Sequence, residues 1–202
     1  MNRRSDPWNP WARPAHALDV DARLLSDHIL SSRTATEALQ RWCDARAIGR
    51  GSVVAVKHRV EVAGPSRFGP PVSLCAGPNE SVVLRAVSLV RGEVELSRAH
   101  NWYVPQRLPP AVAACLETTD VPFGAAVATL AIERRTIAVR HLRPDGDPPI
   151  SGETRGTVLE HDALIVDAGG RILAVVSERY GSVLLAPAPG EHHAAPHPEL
   201  RR

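Results

Sequence analysis

Aromatic residues are scarce, at 4% of the 202 residues, so the core must be built mostly from Val, Leu, Ile and Ala. Cysteine is almost as sparse. Cys43, Cys75 and Cys115 are odd in number and widely spaced. They form neither a disulfide framework nor a CxxC zinc pattern, and are expected to be small buried thiols in a reducing compartment. No apolar run reaches the length needed to span a bilayer. The opening segment MNRRSDPWNPWARP has arginines but no apolar stretch, so no secretory signal is expected there, and a cytoplasmic protein is. The net charge is only +2, and no basic stripe is interleaved with aromatics, which argues against nucleic acid as a partner. Nucleophile-elbow, Walker and dinucleotide-binding glycine motifs are missing, and so is HExxH, while the HxxxH spacing of His193 and His197 falls in the Pro-rich tail. No cofactor and no metal site are therefore expected. His192, His193 and His197 lie in a Pro-rich tail, where such a tract can bind metal adventitiously.

What remains fits one soluble domain with enough chain to bury a core. Residues 1–17 read as an irregular arm, 18–187 as the domain, and 188–202 as a disordered Pro/His tail. Leu24, Leu25, His28 and Ile29 have helical spacing within Asp19–Ser32. Thr34-Ala35-Thr36-Glu37 is a capping box, so a second helix should start there, to be ended by Gly49 and Gly51. Val54, Val56, His58, Val60 and Val62 alternate along one face of a strand. Val82–Val90 and Glu93–Val104 predict a hairpin about Arg91-Gly92. A short helix can begin at Pro109-Pro110, with Val112, Cys115 and Leu116 as its apolar stripe. After a Pro122-Phe123-Gly124 turn, Ala125–Leu130 suits another short helix. Ile132–Leu142 reads as a strand, and Val158–Asp167 with Arg171–Tyr180 as the last hairpin. The sum is an α+β domain: a single six-stranded antiparallel sheet, an N-terminal helix pair and short central helices.

Two charged residues stand alone on apolar strands. Arg85 lies among Val83, Val87 and Leu89, on a strand whose other face is also apolar. A guanidinium there needs an anionic partner, and its planar fork suits a carboxylate. The bland alternative is an ion pair with Glu93 or Glu95 across the hairpin. Glu178 shares parity with Ile172, Ala174 and Val176, and could equally be a solvated residue near a strand end. His161, on the parity of Leu159, Ala163 and Ile165, suits a satisfied core histidine. The first two helices imitate a helix-turn-helix, but Thr36, Glu37 and Gln40 offer little to DNA.

The order of these elements resembles the chorismate pyruvate-lyase family. Leu84-Arg85 with Leu89 resembles its L-R-x-x-x-L strand, Pro122-Phe123-Gly124 its "PLG" turn, and Ser177-Glu178-Arg179-Tyr180 its "TELFLP" strand. Thr34-Ala35-Thr36 is similar to its early helix start. Arg107-Leu108-Pro109 and Val176-Ser177-Glu178 are similar to the uncharacterised and mycobacterial-type members. The family's Arg after "PLG" is Ala125 here. The resemblance implies a chorismate lyase-like fold and a cofactor-free elimination of chorismate to 4-hydroxybenzoate and pyruvate. It implies that Arg85 grips the ring carboxylate, that the Phe123 N–H assists, that Glu178 faces the ring oxygen, and that Ala35 belongs to a covering flap. The expected partner is thus chorismate or a related aromatic carboxylate, bound by a monomer without nucleic acid or membrane insertion. The alternative is a non-catalytic module of the same fold that binds a small aromatic carboxylate.

Overall fold

The computed structural model describes residues 15–63, 71–142 and 156–187. The expected tail, nearly all of the expected arm, and His192, His193 and His197 lie outside them. Helices α1 (Ala15–Leu30) and α2 (Ala35–Arg46) lead into β1 (Val53–Val62), β2 (Val83–Arg91) and β3 (Val94–Tyr103). Then come α3 (Pro110–Thr118), α4 (Phe123–Ala126), β4 (Ile132–His141), β5 (Thr157–Asp167) and β6 (Ile172–Gly181). The strands form one antiparallel six-stranded sheet in the order β1-β2-β3-β6-β5-β4. This is the α+β architecture that the alternation and hairpin signals predict.

Local chemistry sets the helix ends. The Thr34 side chain accepts a hydrogen bond from the Glu37 N–H at 3.2 Å and so starts α2. The helix closes earlier than the glycines suggested. Ala47 takes the left-handed conformation at φ 53°, and the Ile48 N–H reaches back to the Cys43 carbonyl at 3.0 Å. Gly49 has another task. At φ +65° a Cβ there would sit 2.6 Å from the Arg91 carbonyl oxygen, so glycine allows this link to pass under the β2–β3 turn. α1 begins at Ala15, four residues before the expected start.

One strand reading needs correction. In β1 the buried residues are Val53 and Ala55, while Val54, Val56 and Val62 are exposed. A bulge between Lys57 and Arg59 then returns Val60 to the inner face opposite Arg85. A second bulge falls between Thr136 and Ala138 of β4, where Ile137 and Val139 are exposed. Both are edge strands, where packing constrains parity least. The central helices also shift. Pro122-Phe123-Gly124 is not a turn before a helix, because Phe123 and Gly124 are themselves the first helical residues of α4. Cysteine burial is mixed: Cys43 is buried, Cys115 half-buried and Cys75 exposed.

The helices cover one face of the sheet. Ala22, Leu25 and Ile29 of α1 and Ala38, Leu39, Trp42 and Cys43 of α2 pack with Leu96, Leu159, Tyr180 and Leu184. Leu116 of α3 and Phe123 of α4 pack with Val83, Tyr103, Ala163, Ile165 and Val176. Each such fully buried aliphatic contributes about 1.5–3 kcal/mol over its exposed state. Leu74, Val82, Leu84, Trp102, Val104 and Val175 form a smaller cluster. Arg107 pins the loop beneath that cluster. It donates to the carbonyls of Leu74, Cys75 and Ile172 and pairs with Glu80. Its guanidinium, with the Gly77 N–H, holds the Glu80 carboxyl down at about 2.

Candidate functional site

Between the two helix groups lies a cavity of about 290 Å³ on the covered face of the sheet. Its floor comes from the strands: Val87 and Leu89 of β2, Ala99 and Asn101 of β3, Val176 and Glu178 of β6, and Ile165 and Arg134 beyond them. The α1–α2 link supplies Arg33 and Thr34, the first turn of α2 supplies Ala35 and Thr36, and α4 with its approach supplies Pro122, Phe123 and Gly124. Gly124 and Thr34 close on each other across it. A Cβ on Gly124 would stand 3.3 Å from the Thr34 methyl carbon.

Of the residues singled out in the sequence, Ala35, Phe123 and Glu178 line this cavity. Arg85 does not. It shares the sheet face and is fully buried, but its guanidinium turns toward the end of α3. Nε donates to the Leu116 carbonyl at 3.0 Å, and Nη2 to those of Thr119 and Val121 at 3.2 and 2.8 Å. The helix C-terminus carries unsatisfied carbonyls and partial negative charge, so the cation is received by backbone rather than by Glu93 or Glu95. Nη1 is left buried without a partner. Burial lowers the Arg85 pKa, an effect opposed by the charges of Tyr103, Asp120 and Cys115. Nor are Arg85 and Glu178 on adjacent strands, because β3 runs between β2 and β6.

Glu178 has a partner that sequence reasoning missed. Arg134 of β4 reaches over β5 and donates from Nη2 to Glu178 Oε2 at 2.6 Å. Arg134 Nη1 is held by Thr136 Oγ1 at 2.9 Å. The Tyr180 hydroxyl donates to the same Oε2 at 3.1 Å. Full burial, then the charge of Glu178, pushes the Tyr180 pKa well above the usual phenol range. Nothing in the sequence separates Arg134 from Arg135 beside it, since only the strand pairing shows which faces inward.

His161 sits beneath this group, fully buried, with Nε2 3.0 Å from Ser26 Oγ and its ring edge-on to Tyr180. Burial first, then Arg134 and His141, pull its pKa down to about 4. It is the core histidine expected, although Nδ1 lacks a partner. Tyr103, its ring tilted against that of Phe123, has an unpartnered buried hydroxyl pushed up to about 12 by burial and by Glu117.

The arrangement offers an apolar enclosure, one ion pair at its edge, and buried polar atoms that protein groups do not satisfy. Among the described residues, no group of three His, Cys, Asp or Glu side chains is placed to hold a metal ion. No helix among them is long and apolar enough to cross a membrane.

No family model matches the sequence. Among solved structures, PhnF from Mycobacterium smegmatis is similar over 75% of this chain and 65% of its own, at 16% identity and a TM-score of 0.52. The effector binding domain of the B. subtilis trehalose repressor is matched over 63% of this chain and 90% of its own, at 9% identity and a TM-score of 0.40. At such identity the PhnF likeness shows the fold alone, and that fold is the chorismate lyase-like one. A relative in sequence is the uncharacterized protein y4mC of Sinorhizobium fredii (strain NBRC 101917 / NGR234). It is 36% identical over 197 residues, which cover 91% of this chain and 82% of its own. An identity this high over most of both chains places the protein in one family with y4mC.

Proposed function

We propose that the protein is a binding module for a small planar carboxylate, of single-ring size, held in the cavity between Thr34–Thr36, α4 and the sheet. The observation that carries this reading is the character of that cavity. Its walls are apolar, including Val87, Leu89, Phe123, Val127, Ile165 and Val176, and its charged groups are Arg33, Arg134 and Glu178. Two cations against one carboxylate favour an anion. At about 290 Å³ the space is at the small end of ligand pockets, which suits one ring with its substituents. Isothermal titration calorimetry with 4-hydroxybenzoate tests the reading. Saturable one-to-one binding that Ile165→Trp abolishes in a folded protein supports it, and no heat with 4-hydroxybenzoate, benzoate or chorismate rejects it.

A second reading is the chorismate elimination that the sequence resemblance implies, with Arg85, Phe123 and Glu178 in the roles given above. The common face of Arg85 and Glu178, and the place of Phe123 and Glu178 on the cavity wall, favour it. Against it, Glu178 is held by Arg134 and Tyr180, and Arg85 by three carbonyls. Pyruvate release from chorismate by the purified protein separates the enzyme from the binder.

A further inference from the structure

We infer that the protein carries a second ligand site, on the sheet face turned away from the helices, where Arg98 and Arg179 take the phosphate group of a small phosphate monoester. The site is separate from the covered cavity and does not rest on the ligand-binding reading above.

Side chains alternate across a strand, so the neighbours of Val176 and Glu178 on β6 point away from the covered face. Ser177 and Arg179 lie there. Strand pairing sets Arg179 opposite Arg98, and Ser177 in a row with His100, Ala86 and Arg59. With His58 these residues line a groove of about 480 Å³. Its lining holds three arginines and two histidines, and no carboxylate among the described residues.

Like charges directly opposite on neighbouring strands are destabilising unless negative charge stands close by. Here it stands behind the pair. Arg98 Nε donates to Glu95 Oε1 at 2.7 Å, and Arg179 Nε to Glu160 Oε1 at 2.9 Å. The other oxygen of each carboxylate is taken as well. Ser88 Oγ donates to Glu95 Oε2 at 2.8 Å, and Arg140 Nε to Glu160 Oε2 at 2.8 Å. Each arginine is thus fixed by its Nε, which makes its only hydrogen bond among the described residues. The Nη groups of both are left for a ligand in the groove.

A carboxylate has two oxygens and fills one guanidinium fork. A phosphate monoester has three terminal oxygens and roughly two negative charges at neutral pH, so it can bridge both arginines. The groove exceeds what one phosphate fills and falls in the range of small-molecule sites, which leaves room for the esterified group. His58, His100 and Ser177 give that part of the wall hydrogen-bonding character, so the group it suits is polar. Arg179, with 16% of its side chain exposed, is shielded from the screening that weakens surface ion pairs.

Calorimetry on the full chain with glycerol 3-phosphate and with inorganic phosphate tests the site, with thermal melts to confirm folding. Glycerol 3-phosphate should bind one-to-one, at least about threefold more tightly than inorganic phosphate. Arg98→Gln and Arg179→Gln should each weaken it at least about tenfold, and Arg98→Lys should recover only part. Ile165→Trp, which fills the covered cavity, should leave it unchanged, and Arg98→Gln should leave 4-hydroxybenzoate binding unchanged. If Arg179→Gln fails to fold, Arg98→Gln decides alone, since half of the Arg98 side chain is exposed. No heat with glycerol 3-phosphate, or unchanged affinity in folded Arg98→Gln, would overturn the site and leave the cavity reading standing. Binding lost in folded Ile165→Trp would move the phosphate to the covered cavity and overturn it too. Inorganic phosphate binding as tightly as glycerol 3-phosphate would overturn the monoester as its ligand.

Discussion

Arg134 and Glu178 meet across a strand that contributes to neither: Arg134 is on β4, Glu178 on β6, and β5 lies between, with Nη2 2.6 Å from Oε2. The pair closes one side of the cavity and ties an edge strand to the sheet centre. It fixes the charge that a ligand would meet there.

Glu178→Gln should separate binder from enzyme. It removes the negative charge beside the cavity while keeping the shape, and should tighten 4-hydroxybenzoate binding about three- to tenfold, as expected for one charge several ångströms away at intermediate dielectric. Freed of its counter-ion, Arg134 should lower stability by about 1 kcal/mol, since it is only partly buried. If instead the variant binds as before but loses pyruvate release from chorismate, Glu178 acts in catalysis.

Arg85→Leu should be a stability variant first. It strands the carbonyls of Leu116, Thr119 and Val121, which should cost about 3 kcal/mol or more at roughly 1 kcal/mol or above per charge-assisted bond. The urea midpoint should fall, and amide exchange should quicken first at the end of α3. Arg85→Lys should recover only part, because an ammonium cannot span three acceptors with the fork's geometry. A midpoint unchanged in Arg85→Leu would contradict the capping role.

His161 predicts an acid-sensitive fold. Its folded pKa of about 4 lies below the unfolded value near 6.5, so between these values the unfolded chain binds a proton that the native ring refuses. Its contribution is complete above pH 6.5 and is lost as pH falls from there through 4, amounting to about 3 kcal/mol in all. His161→Phe should flatten the stability profile across that window, with a remaining decline below pH 4.5 from carboxylates such as Glu80. Denaturant midpoints at half-unit pH steps read this directly.

Thr34→Ala tests the cavity mouth. The side chain both caps α2 and lines the cavity, so its loss should cost about 1 kcal/mol of stability. Ligand affinity should fall as well, since α2 begins at the rim. Thr34→Ser, which keeps the capping oxygen, should restore the stability.

Much of the architecture was legible because its signals are local. The capping box at Thr34–Glu37, the hairpins about Gly92 and Gly169-Gly170, and the paired prolines before α3 each act over a few residues, and each appears near its expected place. The two-sided apolar pattern of β2 identified a covered central strand and marked Arg85 as a buried cation.

Partnership was decided only by the tertiary structure. Strand order put β3 between Arg85 and Glu178, and no sequence pattern reports which hairpins lie side by side. Bulges in β1 and β4 reset parity partway along each edge strand, so alternation read from one end fails at the other. Arg85 found helix carbonyls rather than a carboxylate because α3 ends over its strand. Asn101 and Arg134 look like ordinary polar residues in the chain. Only burial, strand register and a cavity wall distinguish them, and these arise when segments far apart in sequence pack together.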